Sequence, residues 1–216
     1  MNRTILLAAA ICASCTGVWA SENLLVDSGF ESGAFGQSNP IPFPDGVGGG
    51  WAQYGASFAT PTAHSGIYSA LVLNNTWDPN GVYQLLPASP GQTFDLSAYY
   101  MTPNPSLAGY LTPALVQIFF FDKAERDISD AMYGNWQPLG AANAWVKSQD
   151  VIATAPSETA YVGAYLMMMN NNEASGFQMY YDDASLTVVP EPASFSLLAL
   201  GGLTLLRRRK KPSEQK

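Results

Sequence analysis

Few side chains in this sequence have the types and spacing for chemistry. Its single histidine, His64, lies in TPTAHSGIY beside Ser65. A serine hydrolase needs an imidazole held between nucleophile and acid. Ser65 lacks the strained glycine-flanked elbow that would present such a serine, so His64 is expected to be a loop residue. Asp122, Glu125, Asp127 and Asp130 could supply a glycosidase carboxylate pair, which works at separations of about 5 Å or about 6.5–9.5 Å. Sequence does not fix those distances, and a solvated edge is the expectation for such a cluster. The run Leu166-Met167-Met168-Met169 alternates faces on a strand, which suits packing better than a shared metal. Aromatic residues form the richest set. Trp51, Tyr54, Trp77, Tyr133 and Trp136 lie on or beside loops, with Asn75, Gln84, Gln117 and Asn135 nearby. Aromatic faces cover the apolar side of a pyranose while amides and carboxylates reach its hydroxyls. Trp51 and Trp145 each lead a strand pattern and are expected in the core. Trp77, Trp136, Tyr133, Tyr54 and Asn75 remain as candidate glycan contacts. No catalytic residue is assigned, and the reading is non-enzymatic.

These side chains must be positioned by strands. The body is poor in Lys and Arg and rich in Gly, Pro, Asn, Tyr and Phe, a composition that favours short strands joined by turns. Strand patterns fall at 23–31, 51–59, 66–74, 81–86, 92–101, 115–122, 145–154, 159–169 and 176–189, and 123–136 offers at most a turn or two of helix. The expectation is an all-β domain over 21–188, a two-sheet antiparallel β-sandwich. Both faces of several strands are apolar, so loops should cover what the opposite sheet does not. The stretch 33–50, dense in Gly and Pro, is a long loop of the kind that is flexible or functional.

The ends read differently from the body. Residues 1–20 carry Arg3, an apolar stretch from Ile5 to Val18 and small-residue spacing at Val18 and Ala20, the order of a secretory signal peptide. Both cysteines, Cys12 and Cys15, lie in that leader. The mature body is then cysteine-free, which excludes thiol nucleophiles and Cys-ligated metals. Between Ser21 and Pro190 only Lys123, Arg126 and Lys147 are basic against fifteen Asp and Glu, so 3 − 15 gives −12. Such a body lacks the phosphate contacts on which nucleic-acid affinity rests. It suits neutral sugars and cations.

The motifs LLVDSGFESG (24–33), GWAQYG (50–55), AHSGIYSALV (63–72), SETAYVGAYL (157–166) and GFQMYYDDASLTV (176–188) occur in an order that resembles the galactose-binding-like, carbohydrate-binding-module superfamily of β jelly rolls. The resemblance implies a structural calcium tying the first strand to the last, held by Glu31 and Asp183, possible partners being Asp27 and backbone around Ser65. Calcium takes six to eight hard oxygens. On a regular strand Asp182 and Asp183 face opposite ways, so only one is expected to serve. The tail resembles the PEP-CTERM sorting signal of Gram-negative, exopolysaccharide-producing bacteria over 189–211: Val189, Pro190, Glu191 and Pro192, an apolar run at 193–206, and Arg207, Arg208 and Arg209 leading a basic cluster, with a polar 212–216 beyond. It implies an exosortase as processing partner after signal peptidase, a membrane-spanning sorting helix, and delivery to the cell surface or an extracellular, biofilm-like matrix. The run of 14 residues spans about 21 Å as a helix, short of the roughly 20 residues that cross a bilayer. It suits a temporary hold. The functional expectation is a surface or matrix protein that binds extracellular polysaccharide. Its alternatives are a calcium-stabilised structural protein without glycan binding and a glycoside hydrolase.

Overall fold

The computed structural model describes residues 22–37, 50–74, 78–108, 114–169 and 176–190. Within them the strands are β1 (Gly36–Gln37), β2 (Ala52–Tyr54), β3 (Ala56–Thr60), β4 (Ser69–Asn74), β5 (Asn80–Pro87), β6 (Thr93–Met101), β7 (Ala114–Phe121), β8 (Tyr133–Gln137), β9 (Val146–Lys147), β10 (Val151–Thr154), β11 (Tyr161–Met168) and β12 (Phe177–Val188). They form two sheets, ordered β1-β2-β5-β11-β7-β8 and β10-β6-β12-β4-β3, with β9 added to β6. Every pairing is antiparallel except the short β1–β2 contact. The all-β sandwich expected from the sequence is therefore the fold.

Alternation along the strands builds the core between the sheets. Val82, Val116, Ile118, Phe120, Val162, Ala164 and Leu166 face Ala70, Val72, Phe94, Leu96, Tyr100, Met179, Tyr181 and Leu186 across it. Each fully buried large side chain contributes about 1.5–3 kcal/mol by leaving water. That core replaces the disulfides the body lacks.

Four expectations about elements change. The pattern at 51–59 divides at Gly55, whose φ of +63° only glycine adopts without strain. The chain thereby leaves the sheet that holds β5, β11 and β7 as β2 and enters the other as β3. Residues 23–31 make no strand: Asp27 and Phe30 take φ of 51° and 60° in a turn. Phe30 is fully buried with its ring 4.8 Å from that of Trp51, and this packing offsets the strain of a left-handed aromatic residue. Residues 145–154 split into β9 and β10. Residues 133–137, read as loop, are β8, an edge strand that gains its place by pairing with β7.

Candidate functional site

Two groupings of side chains stand out. At the first, the 27–31 turn, the 64–68 loop and a bulge in β12 meet. The bulge lies between Asp182 and Ser185, where Asp183 has φ of 45°. Bulges re-aim side chains, and this one turns both carboxylates toward the 64–65 loop. The expectation that regular alternation sends Asp182 and Asp183 to opposite faces is thus corrected. Asp182, fully buried, accepts from the backbone N–H of His64 (2.7 Å), Ser65 (3.1 Å) and Asp183 (2.7 Å). Burial pushes its carboxyl above the ordinary value, against the pull of those N–H groups. Asp183 accepts from Ser65 Oγ at 2.7 Å and lies 2.6 Å from His64 Nδ1. Glu31 accepts from Ile67 N at 2.9 and 3.0 Å and from Tyr68 N at 3.3 Å.

Gly66 at φ +62° makes the last contact possible, since a Cβ there would fall 2.2 Å from Glu31 Oε1. His64 also stacks on Tyr99 at 3.9 Å and lies 5.6 Å from half-buried Trp145. In this cluster the carboxylate sits between serine and histidine. A Ser-His-Asp relay requires the histidine in that middle position, so the order is not hydrolytic. The four acids considered for glycosidase work include Asp122, which Arg126 clamps with Nε at 2.8 Å and Nη2 at 2.5 Å. Hydrogen bonds from the Arg126 backbone and guanidinium hold that carboxyl below its usual range, the wrong direction for a general acid.

The same junction bears on calcium. A Cβ on Gly29 would see Asp183 Oδ1, Glu31 Cγ and Asp182 Oδ1 at 3.6–3.9 Å. Three carboxylates and the Ser65 hydroxyl are hard donors, and their chemistry fits the ion. Their oxygens, however, are engaged by N–H and O–H donors. Among the described residues no three His, Cys, Asp or Glu side chains converge as a metal site. Asp27 stands apart: its carboxylate accepts from Ser32 N and its carbonyl from Trp51 Nε1 at 2.9 Å.

The second grouping covers the outer face of the β1-β2-β5-β11-β7-β8 sheet, where most of its members are buried. Tyr83 and Leu85, Tyr165 and Met167, Leu115 and Phe121, and Ala52 form a second apolar cluster, with Tyr54, Phe119 and Tyr161 at its margin. Tyr83 and Tyr165, opposite in register, stack at 5.1 Å and 12°. Tyr54 lies 6.0 and 6.4 Å from them. A Cβ on Gly163 would meet the Tyr165 ring at 2.5 Å, so that ring lies over the glycine. The Tyr54 hydroxyl is buried with no hydrogen-bond partner among the described residues, and burial raises its phenol well above the usual value. Buried Gln117 pairs with Gly134 on the same face.

Trp136, opposite Leu115 and 38 % exposed, extends this face at the edge. Tyr133, three residues away, turns to the other side. It packs edge-on against Phe120 in the core, and its hydroxyl meets Asp130. Of the glycan candidates, then, Tyr54 and Trp136 share a face and Tyr133 does not. Trp77 and Asn75 lie outside the described residues. Gln84 points inward, exchanging two hydrogen bonds with the backbone of Val26. Tyr83 and Tyr165 carry no loop signal; only the period-two pattern of β5 and β11 combined with their register brings them beside Tyr54.

At the tail, Val189 N donates to Thr93 O at 2.8 Å and exposed Pro190 follows. Glu191, Pro192, Arg207, Arg208 and Arg209, the 193–206 run and the leader 1–20 lie outside the described residues. Among the described residues no helix is long and apolar enough to cross a membrane.

This geometry defines an all-β protein of two packed, almost wholly antiparallel sheets. Over 77–80 % of the chain the fold is similar to three solved structures. The Stig cyclase Fisc from Fischerella sp. TAU gives a TM-score of 0.53 at 16 % identity, with 98 % of that chain covered. The CBM22-1-CBM22-2 tandem domain from Paenibacillus barcinonensis Xyn10C gives 0.51 at 15 %, with 46 % covered. The enzymatically active domain of tailspike protein 4 from bacteriophage CBA120 gives 0.52 at 14 %. The chain spans about a fifth of the tailspike's length, 21 %. No curated protein matches the chain. Residues 188–210 match the PEP-CTERM protein-sorting motif, which marks the chain for export.

Proposed function

We propose that this chain is an exosortase-processed surface or extracellular-matrix protein whose body is a non-catalytic glycan-binding module. Export follows from the sorting motif. Within the tail, the 193–206 run serves as a short-lived membrane hold until processing at the Pro-Glu-Pro box. The observation that carries the binding reading is the outer aromatic face of the β1-β2-β5-β11-β7-β8 sheet. There Tyr54 adjoins Tyr83 and Tyr165, which are only 2 % and 6 % exposed, and the buried Tyr54 hydroxyl has no hydrogen-bond partner among the described residues. Buried hydroxyls are ordinarily paired, so a hydroxyl-rich ligand is its natural partner. Trp136 adds an exposed ring at the edge of the same face.

The test is native gel retardation in a panel of soluble neutral and acidic polysaccharides. Tyr54→Phe removes only the orphan hydroxyl and Trp136→Ala only the edge ring. Each is expected to weaken retention about threefold to tenfold, the size of one hydrogen bond or one ring contact. Retention that neither substitution changes, or none by any glycan, would overturn the assignment.

A second reading rests on the Asp182 and Asp183 carboxylate oxygens beside Gly29, with the Glu31 stem against the same glycine. In it the body is a structural matrix protein, and calcium exchanges for the backbone N–H partners of Glu31 and the Ser65 and His64 side chains on Asp183, tying the first turn to β12.

A further inference from the structure

The two ends of the described body leave the sandwich at the same pole. Leu24 N donates to Leu186 O and Ala184 N to Ser28 O, while the Asn23 side chain bridges Ala184 O and Leu186 N. The first segment therefore runs antiparallel to β12, and its upstream end lies beside the C-terminal end of that strand. There Val188 pairs with Phe94, and Val189 N is held by Thr93 O. The sorting motif begins at residue 188, so it shares its first residue with the last strand. Only Glu191 and Pro192 separate Pro190 from the apolar run at Ala193, a span of about 10 Å fully extended.

We propose that, while the tail holds the chain in a bilayer, this pole docks against the lipid surface and the sandwich stands upright on it. The inference rests on the tail being a membrane hold, as proposed above. The turns at 89–92 and 155–160 are then lowermost. The first carries no charge and the second only Glu158.

The tether, not charge, sets this contact. Two of the body's three cations, Lys123 and Arg126, lie in the turn after β7 that closes this pole, where Ala160 N donates to Phe121 O. That turn also carries Asp122, Glu125 and Asp127, with Arg126 engaged on Asp122, so together with Glu158 the pole sums to 2 − 4, or −2. The opposite pole, at the short 3-10 turn Pro105–Leu107, is set off by the nine residues of β6, about 30 Å. The aromatic outer face runs between the poles and stays clear of the bilayer.

The test places one fluorophore at either pole of the full chain, through Ser157→Cys or Ser106→Cys, with Cys12 and Cys15 replaced by alanine. The protein is inserted into phosphatidylcholine–phosphatidylglycerol vesicles containing a nitroxide headgroup lipid, and flotation reports insertion. Quenching at Ser157→Cys is expected to exceed that at Ser106→Cys by about threefold or more, because the poles differ by about 30 Å in height. A flexible insert of about twelve Gly and Ser residues after Pro190 should bring the ratio toward one by lengthening the tether. Equal quenching at both positions in floated vesicles, or a ratio the insert does not change, overturns the pole assignment. Failure to float overturns the membrane hold itself, and the pole assignment with it.

Discussion

Asp182 offers the sharpest test of how the carboxylate junction holds the first turn and the 64–65 loop to the last strand. Its side chain is fully buried and accepts from the backbone N–H groups of His64, Ser65 and Asp183. Alanine would leave three donors without an acceptor. An orphaned buried group costs about 1–3 kcal/mol, but two of these donors belong to an exposed loop that water can reach. The expected net loss for Asp182→Ala is therefore about 3–4 kcal/mol. At about 2–4 °C per kcal/mol for a domain of this size, Tm should fall by roughly 6–16 °C. Asp182→Asn keeps one acceptor oxygen and should lose about half as much.

The pH dependence gives an independent check. Burial raises the folded pKa above the unfolded value of about 3.9. Between those two values the folded state holds a proton that the unfolded state has released. Stability from this group is thus fully present below the unfolded pKa and is lost as pH rises through the folded one. The Tm gap between wild type and Asp182→Ala should widen as pH is lowered into that window. Thermal melts of residues 21–190 from pH 7 to pH 4 measure both effects. If Asp182→Ala melts with wild type at every pH, the junction does not hold the loop as argued.

Calcium and Gly55 supply two further tests. Under the calcium reading, millimolar calcium raises the Tm of wild type by preferential binding to the folded state, and Glu31→Gln and Asp183→Asn abolish the rise; an identical melt with calcium or chelator refutes that reading. Gly55→Ala is expected to cost about 2–3 kcal/mol. It forces a left-handed alanine whose Cβ would lie 1.9 Å from Asn80 Oδ1 and disturbs the Asn80 Nδ2 bond to Leu73 O. A Tm drop of about 4–12 °C should follow, and no drop would contradict the sheet-switching role of this residue.

What the sequence determines by itself is what local pattern and segregated charge encode. Apolar runs bounded by turn residues announce β5, β6, β7, β11 and β12 nearly at their observed bounds: β5, β7 and β11 are buried on both faces and read as near-continuous apolar runs, while β12 alternates. The PEP-CTERM tail is legible because its box, apolar run and basic cluster are contiguous. Tertiary structure decides what depends on register and on pairs far apart in sequence. Gly55 looks like any strand glycine until its positive φ sends β2 and β3 into different sheets. Asp182 joins Asp183 toward one loop only because a bulge breaks alternation. Tyr83, Tyr165 and Tyr54 become one surface only when β5, β11 and β2 lie side by side, and Tyr133 parts from Trp136 only once β8 is recognised as a strand. A short-period signal cannot carry such information, since pairing partners tens of residues apart are chosen by the packing of the whole sandwich.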